Sequence, residues 1–244
     1  MRRISGLGSD GEKVREWAET LSAEFSEKTD YQFQPIVDVR NGKHEIYGYE
    51  ALLRTKEDSP EAFIKKMRRD GRSHDLELLS FYEGILRFTD RGLQGKLFVN
   101  SLPHQILTDT EFDFLGNSGI VMDKRVVVEN LEDDLLLDAA MLIKKKEKLR
   151  ERGYAIALDD YGTGINSVRA LKLFKPDIVK IDRSYVSGAA RDSARLNALE
   201  IMIDEIKGQG AAVLAEGVET WVEYETLRYL GVDFMQGFYL GLPE

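Results

Sequence analysis

Tyr31-Gln32-Phe33-Gln34-Pro35-Ile36-Val37-Asp38-Val39-Arg40-Asn41-Gly42-Lys43-His44-Glu45-Ile46-Tyr47-Gly48-Tyr49-Glu50-Ala51-Leu52-Leu53 is the stretch that decides the fold. Two runs rich in β-branched and aromatic residues, Tyr31–Val39 and Glu45–Leu53, flank a short break built on Asn41-Gly42. Asn-Gly is the strongest short hairpin signal. Parallel strands need a crossover of about a dozen or more residues, so these two run antiparallel.

Downstream, strand-like runs at Lys96–Ser101, Arg125–Glu129, Tyr154–Asp159, Asp177–Asp182, Ala211–Glu216 and Val232–Gln236 alternate with amphipathic stretches. Those stretches, about Asp75–Phe88, Leu131–Arg152, Asn166–Phe174, Arg191–Lys207 and Thr220–Leu230, read as helices. Such alternation builds a mostly parallel sheet with helical crossovers, and eight strands at this spacing close into a barrel. The expected fold is α/β: a modified TIM-type (β/α)8 barrel with the first strand antiparallel to the rest. Upstream, residues 1–30 read as an N-terminal helical extension, with Val14, Trp17, Ala18, Leu21 and Phe25 at helical spacing. It either packs on the barrel or serves as a linker stub or dimer contact. No internal repeat or Pro/Gly-rich linker interrupts the remainder, so residues 31–244 form one barrel domain.

The 244 residues include 43 acids against 34 bases, a net charge of −9. That balance argues against binding of nucleic acid polymers, which calls for a basic face. No apolar run approaches the ~20 residues of a membrane-spanning helix, and no signal-peptide core follows the basic start Met1-Arg2-Arg3. Without cysteine there is no disulfide framework, thiol nucleophile or thiolate zinc site, which suits a cytoplasmic location.

Barrel enzymes carry their chemistry at the C-terminal ends of strands. Here those ends read Glu50, Asn100, Glu129, Asp159-Asp160, Lys180-Ile181-Asp182, Glu216 and Gln236. Any one acid is explained as a loop residue or helix cap; carboxylates recurring around a single rim are not. Like charges so placed demand neutralisation. Oxygen ligands from Asp, Glu and Asn suit hard divalent cations, and only His44, His74 and His104 are available for zinc. Adjacent Asp159 and Asp160 leave a strand in different directions, so one can bridge two ions while the other holds the second. A two-ion clamp hydrolyses phosphodiesters through a metal-activated water, and it lets an acidic protein hold an anionic substrate. Lys180 reads either as counter-charge or as a group orienting that water. Arg54, on the same strand face as Glu50, suits a phosphate clamp. Tyr161-Gly162-Thr163-Gly164 fits no phosphate-loop spacing and reads as a mobile loop positioning Asp160. Lys65-Lys66-Met67-Arg68-Arg69 reads as a solvated helix face.

Tyr49-Glu50-Ala51-Leu52-Leu53-Arg54 resembles the signature of the EAL family of bacterial cyclic di-GMP phosphodiesterases. The resemblance continues through Gln34–Asp38, Phe98–Pro103, Leu158–Gly164, Val179–Tyr185, Ala215–Thr220 and Met235–Tyr239, in order, covering roughly residues 31–243. It implies the same barrel with a reversed first strand. It further implies metal-dependent hydrolysis of cyclic di-GMP to linear pGpG, with two Mg²⁺ or Mn²⁺ ions as cofactors. Carried over by motif, Glu50, Asn100, Glu129 and Asp159 hold metal, Asp160 takes the second ion, and Glu216 acts on the water with Lys180 and Gln236 assisting. Glu132 corresponds to the acid anchoring the loop of Asp160, and Gln34, Leu52 and Arg54 to dinucleotide contacts. Dimers are common in the family, so a homodimer is expected without a legible interface. Departures are modest: Glu129-Asn130-Leu131-Glu132 stands for the usual Glu-Leu-Thr-Glu, Tyr161 for a usual Phe, and Lys65–His74 differs from the typical segment. Two alternatives follow, a cyclic di-GMP receptor that binds without hydrolysing and a two-carboxylate glycosidase. Receptors typically lose a metal ligand, and none is lost here; the glycosidase leaves the other acids and Lys180 without a task. No regulatory module is recognisable, which leaves regulation to residues 1–30, dimerisation, a partner, or a further portion of a longer protein.

Overall fold

In the computed structural model, which describes residues 8–56, 58–117, 119–131, 139–163 and 167–244, the hairpin turns at Arg40–Gly42. Asn41 (φ 55°) and Gly42 (φ 76°) supply its two left-handed residues, a conformation that Asn tolerates and Gly adopts freely. The turn returns β1 (Thr29–Asp38) antiparallel onto β2 (Glu45–Thr55), in a register that sets Gln34 opposite Glu50. From β2 the strands β3 (Lys96–Asn100), β4 (Val126–Leu131), β5 (Ala155–Tyr161), β6 (Ile178–Ile181), β7 (Ala212–Ala215) and β8 (Phe234–Gln236) each pair parallel with their predecessor. β8 closes the ring on β1, antiparallel, with Ile36 opposite Gln236. The reversed first strand and the closed eight-stranded barrel are as the sequence predicts.

Helices cover the outside: α1 (Ser9–Phe25), α2 (Pro60–Arg69), α3 (Ser73–Asp90), α4 (Asp109–Gly116), α5 (Gly119–Met122), α6 (Ala139–Glu151), α7 (Ser167–Phe174), α8 (Arg183–Val186), α9 (Ser193–Gly208) and α10 (Trp221–Tyr229). α4 is absent from the pattern-based reading. Its signal is the capping box of Thr108 and Glu111, in which each side chain bonds the other residue's backbone N–H. Of the helix expected over Leu131–Arg152, Leu131 itself pairs in the ladder with Asp159, residues 132–138 lie outside the described residues, and α6 is described from Ala139.

Two apolar shells hold the barrel. Inside it, Ile36, Phe98, Val127, Ala157, Ile178, Leu214 and Phe234 fill the lumen, with Tyr47 stacked on Phe234 at 4.0 Å between ring centroids. Between strands and helices lies the larger shell, which includes Ala18, Leu21 and Phe25 of α1. Burying side chains such as Leu21 and Phe25 stabilises by about 1.5–3 kcal/mol each, so α1 is held to the barrel by packing. Phe25 meets Phe63 edge-on at 5.6 Å, and Trp17 stacks on His74 at 5.8 Å. Among the described residues, no helix is long and apolar enough to cross a membrane.

Candidate metal and catalytic site at the barrel mouth

Strand periodicity builds the site. A side chain two residues along a strand points the same way, so one step above the apolar lumen the inward face changes character. Asn100 follows Phe98, Glu129 follows Val127, Asp159 follows Ala157, Lys180 follows Ile178, Glu216 follows Leu214 and Gln236 follows Phe234. Glu50 follows Gly48, where a Cβ would lie 2.4 Å from the Lys96 carbonyl oxygen, so only glycine lets β2 approach β3 there. β1 runs the other way, and its contribution, Gln34, accordingly precedes Ile36.

Lys180 is the centre of this layer and is 1% exposed. Its Nζ lies 2.8 Å from Glu129 Oε1, 2.8 Å from Glu216 Oε1, 3.0 Å from Asp159 Oδ1 and 3.5 Å from Glu50 Oε2. Gln236 Nε2 donates to Glu50 Oε2 at 2.7 Å and to Gln34 Oε1 at 3.0 Å, and Asn100 Nδ2 donates to Glu50 Oε1 at 3.3 Å. Gln34 in turn donates to the Gly241 carbonyl at 3.2 Å. It props Gln236, a supporting role that no feature of its motif announces.

Asp160 joins the group by a backbone device. Consecutive strand residues should face opposite ways, but the β5–β6 register shifts between Leu158 and Tyr161, and Asp160 has φ 56°. Such a bulge re-aims side chains. Carboxylate oxygens of Asp159, Asp160 and Glu216 consequently all lie within 4.8 Å of one another, so the two adjacent aspartates converge rather than diverge. Asp160 is secured by its N–H, which donates to Asp159 Oδ1 at 3.1 Å, and by its carbonyl, which accepts from the Thr163 hydroxyl at 2.9 Å. Beyond it Gly162 has φ 101°, a Cβ there would lie 2.6 Å from the Tyr185 ring, and the Tyr185 hydroxyl donates to the Gly162 carbonyl at 2.7 Å. The expected mobile loop is tied down at this end.

The charges do not balance. One ammonium faces four carboxylates, with Asp160 beside them. Burial opposes the charge on Lys180, yet the fields of Asp159, Glu129, Glu216 and Glu50 outweigh it and hold its pKa well above the ordinary lysine value. Burial and the charge of Glu50 push Glu129 well up. Glu216 rises to about 8, chiefly through burial against the partial relief given by Lys180. Asp160 rises to about 6 through burial and the charge of Asp159. Glu50 is held low: burial would raise it, but Lys180, Gln236 and Asn100 prevail. Carboxyl groups held up in this way are short of positive charge. Glu129 Oε2 is buried and has no hydrogen-bond donor among the described residues. An all-oxygen donor set with an orphaned carboxylate oxygen fits a hard divalent cation.

The remaining predicted residues separate. Arg54 and Leu52 lie further along β2 beside β1, opposite Asp30 and Gln32, and Arg54 Nε donates to Gln32 Oε1 at 2.7 Å. Asp182 spends its side chain on capping α8, accepting from the Ser184 N–H at 2.9 Å, while its charge still adds to the rise of the Asp160 pKa. Glu132 lies outside the described residues. Two residues that sequence reasoning passed over, Glu77 and Lys145, are buried behind Asn100.

Comparison with known proteins agrees with this geometry. The EAL domain model matches residues 18–243. The probable cyclic di-GMP phosphodiesterase PdeB of Escherichia coli K12 is 31% identical over 217 residues, 84% of this chain and 41% of PdeB, so the chain spans less than half of that relative's length. The crystal structure of a standalone versatile EAL protein from Vibrio cholerae O395, in its c-di-GMP-bound form, superposes with a TM-score of 0.79 at 27% identity over 88% of this chain and 92% of that one. The PaMucR phosphodiesterase in complex with c-di-GMP gives a TM-score of 0.76 at 26% identity over 95% of this chain and 97% of that one. With its reversed first strand, its acid-lined mouth and a family match over nearly its whole length, the chain belongs to the EAL domain family.

Proposed function

We propose that this chain hydrolyses cyclic di-GMP to linear pGpG with the aid of Mg²⁺ or Mn²⁺, in the cytoplasm. The observation that carries the reading is the complete mouth: Glu50, Asn100, Glu129, Asp159, Asp160 and Glu216 gathered around Lys180 with negative charge in excess. Relatives named as cyclic di-GMP phosphodiesterases support the choice of substrate.

Glu50, Asn100, Glu129 and Asp159 would hold one cation, and Asp160 with Asp159 a second. When bound, divalent cations supply the positive charge that returns the raised carboxyl groups to carboxylates, attract the phosphodiester and acidify an attacking water. The chain's own residues do the rest. Glu216, at the rim, accepts the proton of the attacking water, and Lys180 at 2.8 Å from Oε1 fixes the carboxylate's orientation. Gln236 holds Glu50 in place from β8. Arg54, its guanidinium anchored on Gln32, and Gln34 and Leu52 face the dinucleotide from the β1–β2 side. Water's oxygen bonds to phosphorus, the bond from phosphorus to a ribose 3′-oxygen breaks, and that oxygen takes up a proton, leaving the 5′-phosphate of pGpG.

Incubating the protein with cyclic di-GMP and Mg²⁺ or Mn²⁺, followed by chromatography, tests this directly. Linear pGpG formed only when cation is present is the expected result. Nucleotide that binds tightly yet stays unchanged would replace the enzyme with a receptor.

A further inference from the structure

We infer that Glu77 of α3 and Lys145 of α6 are positioning residues for Asn100, a deduction that rests on the metal-binding reading of the mouth. Both are buried, at 1% and 3% exposure, and they form a closed network around the two residues that follow Asn100. Lys145 Nζ donates to Glu77 Oε1 at 2.9 Å, to the Ser101 hydroxyl at 2.6 Å and to the Leu102 carbonyl at 2.5 Å, using all three of its protons. Glu77 Oε1 also accepts from the Ser101 hydroxyl at 2.6 Å, and its Oε2 accepts from the Leu102 N–H at 2.7 Å.

The network meets the mouth through one residue. Ser101 donates its backbone N–H to the carbonyl of Glu129 at 3.1 Å, so the exit of β3 is clamped between an ion pair outside and β4 inside. Asn100, the last residue of β3, directly precedes the clamp, and its carboxamide donates to Glu50 on the neighbouring strand β2 at 3.3 Å. A generic strand exit needs no buried charge. Desolvating a lysine and a glutamate is costly, and well-packed apolar residues of the same size would serve stability as well or better. What the ion pair adds is geometry: fixed distances to the Ser101 hydroxyl and to the N–H and the carbonyl of Leu102. Partners behind metal ligands, which orient them, typically change metal affinity by about 10- to 100-fold when removed.

The test replaces both partners at once, Glu77→Leu with Lys145→Met, so that no lone charge is left buried. Mn²⁺ binding is measured by calorimetry on the full chain, and hydrolysis is measured against Mn²⁺ concentration. The double variant should melt within a few degrees of wild type, bind Mn²⁺ about 10- to 100-fold more weakly, and recover most of its rate at saturating Mn²⁺. In an Asn100→Ala background the same pair of changes should weaken Mn²⁺ binding little further, since their effect passes through Asn100. Unchanged Mn²⁺ affinity in a folded double variant would overturn the positioning role, as would full additivity with Asn100→Ala. A wild-type chain that binds no Mn²⁺ overturns the reading of the mouth itself, and the inference with it.

Discussion

Among the described residues two lysines are buried, Lys145 and Lys180, and they are opposites. Lys145 has a single carboxylate partner and two neutral acceptors, so charge and hydrogen bonds both close. Lys180 lies within 4 Å of four carboxylates, so its surroundings carry a surplus that one ammonium cannot cancel. Burial is the same; stoichiometry differs. A balanced pair is complete in the protein alone, whereas an unbalanced one is left with excess negative charge, which the proposed cations would neutralise. The surplus, rather than the depth of the cluster or the number of its acids, is what singles out the mouth as the candidate site.

The largest effect should come from subtracting a ligand from the unbalanced cluster. Glu50→Ala should lower hydrolysis by at least about 100-fold, beyond what loss of a supporting partner produces. Cyclic di-GMP binding, followed by calorimetry, should weaken much less, because Arg54 and Gln34 are untouched. Retention of full turnover would remove Glu50 from the metal site.

Subtracting the lysines separates the clusters. Lys145→Met leaves Glu77 buried without a counter-charge and should cost about 3–5 kcal/mol of stability. Lys180→Met should cost a similar amount in chelator. Mn²⁺ should restore stability to the Lys180 variant and leave the Lys145 variant unchanged, as read by thermal melts with and without the ion. Equal rescue of both, or of neither, would erase the distinction.

A smaller loss is expected from Gly162→Ala. Alanine at φ 101° is strained, and its Cβ would lie 2.6 Å from the Tyr185 ring and 2.7 Å from the Met202 methyl. A cost of about 1–3 kcal/mol in stability should accompany a fall in hydrolysis, because the segment next to Asp160 must shift. Unaltered melting would show that the turn relaxes freely.

Much of this was legible in the sequence because it follows from periodicity and turn chemistry. Asn41-Gly42 announces the reversed strand, and the polar residues that close the apolar strand runs announce the rim. Asp160 was nominated, yet its aim was not, since the bulge that turns it arises from the register between β5 and β6. Asp182 looked like another rim acid, but it caps a single helical turn, a local use that composition cannot separate from a catalytic one. Glu77 and Lys145 were passed over for a different reason. Glu77 stands among Leu76, Leu78 and Leu79 in a turn of α3 that is buried all round, and only the tertiary contact between α3 and α6 shows what it pairs with. An acid inside an apolar helical run was the one available sign.

Another buried carboxylate, Glu111, sharpens the comparison further, because its partner can lose its charge near neutral pH. Glu111 Oε1 lies 2.8 Å from His74 Nε2, while its Oε2 accepts the Thr108 N–H at 2.6 Å. The hydrogen bond to Glu111 raises the His74 pKa above its ordinary value against the opposing effect of burial, with Gln105 and Glu77 adding to the rise. Trp17 of α1 stacks on the ring, so the pair also holds the N-terminal helix. A histidine whose folded pKa exceeds the unfolded one stabilises fully below the unfolded value, about 6.5, and that contribution fades as pH rises through the folded pKa. Burial would raise the pKa of Glu111, but His74 and the Thr108 N–H hold it low, so its own contribution is present above the ordinary carboxylate range and lost in acid. The pair is therefore strongest between the two titrations, in mildly acid solution. Wild type should exceed His74→Gln in melting temperature by more at pH 5.5 than at pH 8, by an amount equivalent to about 1 kcal/mol or less for so exposed an imidazole. Saturating Mn²⁺ in both proteins keeps the mouth's own titrations out of the difference. A gap that is flat across that range would show that the contact holds without the histidine's charge, as packing against Trp17 alone would.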